Sequence, residues 1–394
     1  DVYIYATILA KDGSRMSKSK GNGVNPMDLI AKYGADAMRH NLLTLITTNQ
    51  DVKFDADINA KTKELLGSVR TEASRAFVTK IWNASRFVQM NLEGYEPGAP
   101  VPATAEDAWM LSRLSREVAA ATEQLENYNF GDYARNLQAF FWSEVCDWYI
   151  ELCKGRLLDG KPAERLQVQR NLVFVLDTSL RLLHPMMPFV TEKIWDMLPP
   201  SELDASQDAS YTPHEGRFLM MAPWPEPKSF SGFVNDTAEH DFELAKRLIS
   251  AVRSVRARYR LSPRVAVDVA VHTTGDDARI LETQRSFISN VGKIDQLSVG
   301  AQIDKPVGSV SVVDGDMQIF VALGGLVDLA AEANRLNKEL AKAQKELTGV
   351  NKTLTNQGFL NKALPEVIQK KRDRAVELQQ TIDQLGAQLA DFSS

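Results

Sequence analysis

Eight consecutive residues carry the densest chemistry in the chain. Arg15-Met16-Ser17-Lys18-Ser19-Lys20-Gly21-Asn22 holds three cations and two hydroxyls and ends in two residues that accept positive φ. Such a loop can present ammonium groups, hydroxyls and backbone amides to a polyphosphate and rearrange as negative charge develops. Composition alone leaves a plainer use open, because loops rich in Lys, Ser and Gly are most often only solvated.

A second concentration lies between residues 244 and 264. Lys246, Arg247, Arg253, Arg256, Arg258, Arg260 and Arg264 occur there without a single acid. Helical spacing places Arg253, Arg256 and Arg260 on one face, opposite an apolar stripe that includes Ile249, Val252 and Val255. Grouped cations release counterions on meeting a phosphate backbone, whatever the base sequence, and a solvated basic face is the alternative. Metal chemistry finds no comparable support. Cys146 and Cys153 are the only cysteines, and seven residues apart on an apolar helical pattern they read as buried thiols, neither a zinc site nor a disulfide scaffold.

Four regions must position these groups, and the fold class expected is mainly α. Residues 1–58 open on a β-rich run from Val2 to Leu9 and turn at Asp12-Gly13. A helix should start at Asn25-Pro26 and stop at Tyr33-Gly34, with Asp36 as the cap of a second. Residues 59–236 read as an antiparallel bundle of five or six helices, with Phe140, Phe141, Val145, Trp148, Tyr149 and Leu152 as a core-facing seam. The proline-rich stretch from 199 to 231 reads as a surface crossing. Residues 237–325 combine the basic helix with short strands at 265–272, 296–299, 310–313 and 317–323 around a helix that includes Ile280 to Ile288, a small α+β module. Residues 326–394 carry two apolar repeats of heptad spacing separated by Asn356, Gly358 and Pro365, which predicts an antiparallel coiled-coil hairpin with Lys371 as the one misfit in its seam.

The composition fits this picture. Forty-six basic and 51 acidic residues give a net charge of −5 on a body 44% apolar and 25% charged, which excludes only a uniformly basic coat. No run of about eighteen apolar residues is present and the first twenty residues lack the order of a secretory signal, so no membrane partner and a cytoplasmic location are expected. The chain starts at Asp1 inside an apparent strand and reads as one entered in mid-domain.

The order of residues 15–19 resembles the KMSKS signature of class I aminoacyl-tRNA synthetases. Lys20-Gly21-Asn22, Asn25-Pro26 and Lys32-Tyr33-Gly34-Ala35-Asp36-Ala37-Met38-Arg39 resemble the segment C-terminal to that signature in the valine, isoleucine and leucine branch. Ile81-Trp82-Asn83-Ala84-Ser85-Arg86-Phe87-Val88, Phe140-Phe141-Trp142, Cys146-Asp147-Trp148-Tyr149 and residues 183–192 resemble the anticodon-binding bundle of the valine member. The heptad hairpin with Asn356-Gln357-Gly358-Phe359 at its tip resembles that member's C-terminal tRNA-binding arm. Two cysteines could not build the zinc module with which the isoleucine member usually closes.

The resemblance implies the end of a Rossmann-type catalytic domain with its connector, and activation of valine with ATP followed by transfer to tRNA(Val). Lys18 matches the signature's second lysine, whose ammonium would stabilise charge on the α-phosphate and departing pyrophosphate. Arg15 stands where the family usually has Lys and keeps the charge in a planar fork. Met16, Ser17 and Ser19 complete the ATP-binding loop, and Mg2+ is expected to accompany the nucleotide, with no metal site in this chain. Arg253, Arg256 and Arg260 become candidates for tRNA contact, as do Lys342 and Lys345 of the hairpin, and a monomer is expected. The family's His-x-Gly-His element is not found among the five histidines. The chain therefore reads as a C-terminal part that cannot activate valine alone. A free-standing tRNA-binding protein and a heptad-driven scaffold are the other readings.

Overall fold

The computed structural model describes residues 6–17, 19–47, 51–59, 61–201, 218–262, 264–327, 329–360 and 365–391. Lys18 and residues 2–5 of the expected first strand lie outside the described residues. The chain divides into two compact units, residues 1–239 and 240–394.

In the first unit, β1 (Ile8–Leu9) leads through the loop to α1 (Pro26–Tyr33) and α2 (Ala35–Leu45). The chain then returns in β2 (Val52–Lys53), parallel to β1 with Ile8 opposite Val52. The bounds of α1 follow local chemistry. Asn25 accepts the Met27 amide, Pro26 takes the first turn and Gly34 ends the helix at φ 90. Leu29, Tyr33, Ala37, Val52 and Phe54 form the core beneath these elements.

The bundle does not begin at residue 59. An antiparallel hairpin, β3 (Ala56–Ile58) with β4 (Leu65–Ser68), spans that boundary. Asn59 turns it by accepting the amides of Lys61 and Thr62 at 2.9 and 3.2 Å, and Lys63 takes a left-handed φ of 64. Only then does α3 (Val69–Met90) start, capped by Ser68, whose hydroxyl accepts the Thr71 amide.

After α3 come α4 (Ala105–Glu126) and α5 (Phe130–Ala139). The latter continues through π-helical turns at Phe140–Tyr149 into α6 (Ile150–Leu158), and α7 (Pro162–Leu183) and α8 (Pro188–Asp196) come next. The wider turns keep Phe140, Phe141, Val145, Trp148 and Tyr149 buried, while Leu152 is only half-buried. Short α9 (Pro227–Phe230) seats a fully buried Phe230 on Phe174 at 5.5 Å.

The second unit holds most of α10 (Asp236–Arg258) and a four-stranded sheet of order β6-β5-β8-β7, made by β5 (Val267–His272), β6 (Ile294–Gly300), β7 (Ser309–Asp314) and β8 (Met317–Ala322). β5 runs parallel to β6 and antiparallel to β8, with α11 (Gly275–Thr283) and α12 (Arg285–Gly292) in the crossover. These two replace the single helix expected around Ile280–Ile288, the break falling at Gln284. α13 (Leu329–Leu354), short α14 (Gln357–Leu360) and α15 (Pro365–Asp391) complete the unit. Ala343 and Val350 of α13 bury against Leu378 of α15, flanked by Leu347, Leu354, Ala375 and Ile382. Glu346 and Arg374 bridge the two helices at 2.9 Å. Lys371 is half-buried, as a long amphipathic side chain in an apolar seam should be.

Candidate phosphate-binding loop and nucleic-acid interface

The loop is stitched from within. Gly13, at φ 84, donates to the Ala10 carbonyl and lets Ser14 turn back, so that Ala10 donates to the Ser14 carbonyl at 2.9 Å. Asp12 accepts the Ser14 amide, a bond that holds its carboxyl below the usual range. Asn22 is the hub. Its Oδ1 accepts the Ser17 amide at 2.9 Å, and its Nδ2 donates to Ser14 Oγ at 2.9 Å and to the Arg15 carbonyl at 3.2 Å.

The Ser17 hydroxyl accepts the Lys20 amide at 3.3 Å and stands 3.2 Å from Ser19 Oγ, and Gly21 donates to the Ser17 carbonyl. The amides of Ser17, Lys20 and Gly21 are thus spent inside the loop, and what it offers outward is the side chains of Arg15, Ser19 and Lys20, all exposed or half-exposed. Met16 faces the other way and packs on the core of α1, α2 and β2.

Two further ammonium groups approach the loop from distant sequence. A Cβ on Gly21 would lie 2.7 Å from Lys63 Nζ, and one on Gly13 would lie 3.0 Å from Lys53 Cε. Neither lysine is among the residues that sequence reasoning singles out. Lys53 arrives through the β1-β2 pairing and Lys63 through the β3-β4 hairpin, and no local pattern around residue 15 signals either. Lys11 is paired with Asp57 at 2.5 Å.

α2 ties the loop's supporting elements to the bundle. Asp36, expected as the cap of its own helix, instead lies buried in the first turn of α2 behind Gly34. It accepts the amides of Phe189 and Val190, at 3.2 and 2.7 Å, at the start of α8. Burial raises its carboxyl, while the two amides and the Arg39 charge pull the other way. Arg39 donates to the carbonyls of Pro185 and Met186, at 2.9 and 3.2 Å. His40 meets Ser74 and Asn41 meets Thr71, both on α3, at 2.9 and 2.8 Å.

In the bundle, Trp148 and Tyr149 are core residues, Tyr149 donating to Asp107 at 2.8 Å. Trp142 is half-buried, stacks on Phe77 and carries Lys80 over its ring at 5.3 Å. His184 and Trp195 are structural. The His184 ring meets the Thr191 hydroxyl at 2.8 Å, and the Trp195 indole donates to Asp177 at 2.8 Å. Both cysteines are buried and free, and burial pushes the Cys146 thiol up to about 12 and Cys153 higher still.

The basic stretch is less uniform than its composition. Lys246 pairs with Glu243 at 2.5 Å and Arg247 with Asp314. Arg256 is buried and donates to the carbonyls of Ser262 and Lys293, at 2.9 and 3.4 Å. α10 ends at Arg258, so Arg260 does not share its face. It sits beyond the helix at φ 53, exposed, as are Arg253, Arg258 and Arg264. Lys342 and Lys345 are exposed on α13. Among the described residues no group of three or more His, Cys, Asp or Glu could hold a metal ion, and no helix is long and apolar enough to cross a membrane.

Three family models match the chain in order. One described as tRNA synthetases class I (I, L, M and V) covers residues 1–55, the anticodon-binding domain of tRNA ligase covers 107–271, and the valyl tRNA synthetase tRNA binding arm covers 328–393. A valine–tRNA ligase of Symbiobacterium thermophilum is 38% identical over 100% of this chain and 43% of its own length. Those of Geobacter sulfurreducens and Thermotoga maritima are each 36% identical over 99% of this chain, and over 42% and 41% of theirs. The chain therefore spans about two-fifths of the length of these relatives. A solved ternary complex of an Agrobacterium radiobacter LeuRS is a looser likeness, at TM-score 0.42 and 18% identity over 59% of this chain and 25% of that one.

Proposed function

Because the chain belongs to the valine–tRNA ligase family of class I tRNA synthetases, we propose that its residues serve the ATP-dependent attachment of valine to tRNA(Val). The observation that carries this reading is the ordered match of synthetase segment, anticodon-binding domain and tRNA-binding arm along one chain. It favours the ligase over a free-standing tRNA-binding protein or a scaffold.

In this reading the Arg15–Ser19 loop meets the triphosphate of ATP. Lys18 supplies a point charge to the α-phosphate and departing pyrophosphate, which is electrostatic catalysis with no covalent step of its own. Arg15, Ser19 and Lys20 project from the same stitched loop and hold the remaining oxygens. The loop does not fit Mg2+ as a protein-held ion. Its one acid, Asp12, is engaged with the Ser14 amide, so a divalent ion would arrive on the nucleotide's own phosphates. The bundle and hairpin supply the tRNA surface, with Arg253, Arg260, Lys342 and Lys345 as exposed phosphate contacts. A hairpin that satisfies its own heptads supports a monomer, and the cytoplasm is the compartment where aminoacylation would occur.

The test has two arms. Filter binding of a valine tRNA transcript to the 394-residue chain should give a salt-sensitive complex, and no binding would sink the reading. In a ligase containing these residues, Lys18→Ala should lower valine-dependent pyrophosphate exchange by roughly 10²- to 10³-fold, the usual cost of losing one transition-state charge partner. An unchanged rate would remove Lys18 from the chemistry.

A further inference from the structure

Four non-glycine residues in the described chain adopt positive φ, and two of them are cations in turns that one guanidinium joins. Arg260 at φ 53 lies just past the end of α10, and Lys293 at φ 55 caps α12. Left-handed backbone disfavours residues with a Cβ and is the usual place for glycine, so such positions persist when their surroundings fix them. Backbone bonds hold both helix ends, Arg260 donating to the Ala257 carbonyl at 3.2 Å and Lys293 to the Ser289 carbonyl, and the two turns are joined by Arg256. It is buried, and its two terminal nitrogens donate to the Lys293 carbonyl at 3.4 Å and to the Ser262 carbonyl at 2.9 Å, closing both turns from beneath. Leu261 returns an amide to the Arg256 carbonyl at 2.9 Å, and the Lys293 carbonyl also accepts the Val267 amide at 3.1 Å.

The outer side of this knot is cationic. Arg260, Arg264 and Lys293 are exposed, and the exposed Arg253, one turn back on α10, reaches the Val291 carbonyl at 3.5 Å. Asp268 and Asp295 follow the paired Val267 and Ile294 in their strands. Asp268 is already engaged, accepting the Gln296 amide at 3.1 Å.

We infer that Arg256 is a positioning residue that presents Arg253, Arg260, Arg264 and Lys293 together as a seat for the sugar-phosphate backbone of a folded RNA. The inference rests on the tRNA-binding reading above and revises it. Arg256, which spacing alone would enlist as a contact, instead organises cations drawn from three segments, two of them held where glycine would be more at ease. Backbone phosphates are the fitting partner because the seat offers several exposed positive groups close in sequence and strand register. Its contribution is to affinity and orientation and carries no base preference.

The experiment uses the 394-residue chain and a valine tRNA transcript, with affinity measured across a salt series. Lys293→Gly and Arg260→Gly remove a charge at positions whose backbone favours glycine, so their thermal midpoints should stay level or rise. Their binding should weaken several-fold, and the slope of log K against log salt should shrink by about 0.7 to 0.9 for each. Arg256→Gln and Arg256→Lys should both lose more slope than one cation accounts for, because lysine keeps the charge but cannot make the two-carbonyl fork.

Wild-type binding by Arg256→Lys, or unchanged slopes in both glycine variants, would overturn the inference while leaving the tRNA reading intact. Polyglutamate competing as well as RNA would overturn it in favour of an acidic protein partner. A wild-type chain that binds no tRNA would overturn both.

Discussion

Acidification from pH 7.5 to 5 should cost the first unit about 2 kcal/mol through His40 alone. The ring is 1% exposed, with Nδ1 on the Ser74 hydroxyl and its face 5.1 Å from Phe77. Nε2 is buried without a partner among the described residues. A second proton would put a cation in this site with nothing to receive it, so burial pushes the imidazole down from 6.5 to about 4. A depressed folded value means that the unfolded chain takes up the proton first. The stabilisation is complete above about pH 6.5, falls as pH drops toward 4 and is gone below. At about 1.4 kcal/mol per pH unit, the whole effect is roughly 3 kcal/mol, of which about 2 is expressed at pH 5. All six tryptophans precede residue 240, so urea unfolding tracked by indole fluorescence reports this unit. His40→Gln keeps an amide able to meet Ser74 and removes the titration. The loss between pH 7.5 and 5 should be about 2 kcal/mol larger in the wild type than in the variant, and a difference below ~0.5 kcal/mol would refute the burial argument.

Asp107 is fully buried and accepts both terminal nitrogens of Arg156, at 2.6 and 2.8 Å, besides the Tyr149 hydroxyl. Asp107→Asn leaves the half-buried Arg156 guanidinium with only the longer Glu106 pair, at 3.8 Å, and should cost roughly 3 kcal/mol in the same urea assay, most of it recovered by adding Arg156→Met. Asn22→Ala removes all three bonds of the loop's hub. It should raise hydrogen exchange at the Ser17 amide at least about tenfold while shifting the urea midpoint little, since the loop lies at the low-stability end of its unit. Unchanged exchange would mean that the loop is held by other groups.

Where one residue's local chemistry decides, sequence reading succeeds. Asn25, Pro26 and Gly34 bound α1 because capping oxygen, fixed φ and left-handed tolerance act within a few positions. Ala343, Val350, Leu378 and Ile382 declare their shared seam by spacing alone. Reading fails where the partner is remote. Asp36 has the right type to cap α2, yet the helix starts one residue before it and its carboxylate oxygens face α8, about 150 positions away. The helical face assigned to Arg253, Arg256 and Arg260 presumes that α10 continues past Arg258 and that Arg256 points to solvent. In the structure the helix stops, and the guanidinium goes to the carbonyls of Ser262 and Lys293. Lys53 and Lys63 reach the loop through strand pairing, which no periodicity near residue 15 encodes.

Asp36 and Arg39 bear on how the loop and the bundle act together. They stand one turn apart on α2 and meet opposite polarities of a single corner. Arg39 takes carbonyls left open where Pro185 ends α7, and Asp36 takes amides left open where Pro188 starts α8. The first amides and last carbonyls of a helix have no partner within that helix, and α2 supplies both kinds here. A displacement of the α7-α8 corner that left α2 behind would break all four bonds at once and take both amide donors from the buried Asp36 carboxylate. α2 therefore moves with the bundle. The core of α1, α2 and β2 that seats Met16 moves with α2, and the exposed side chains beside Met16 are placed by the same contacts that hold the helices.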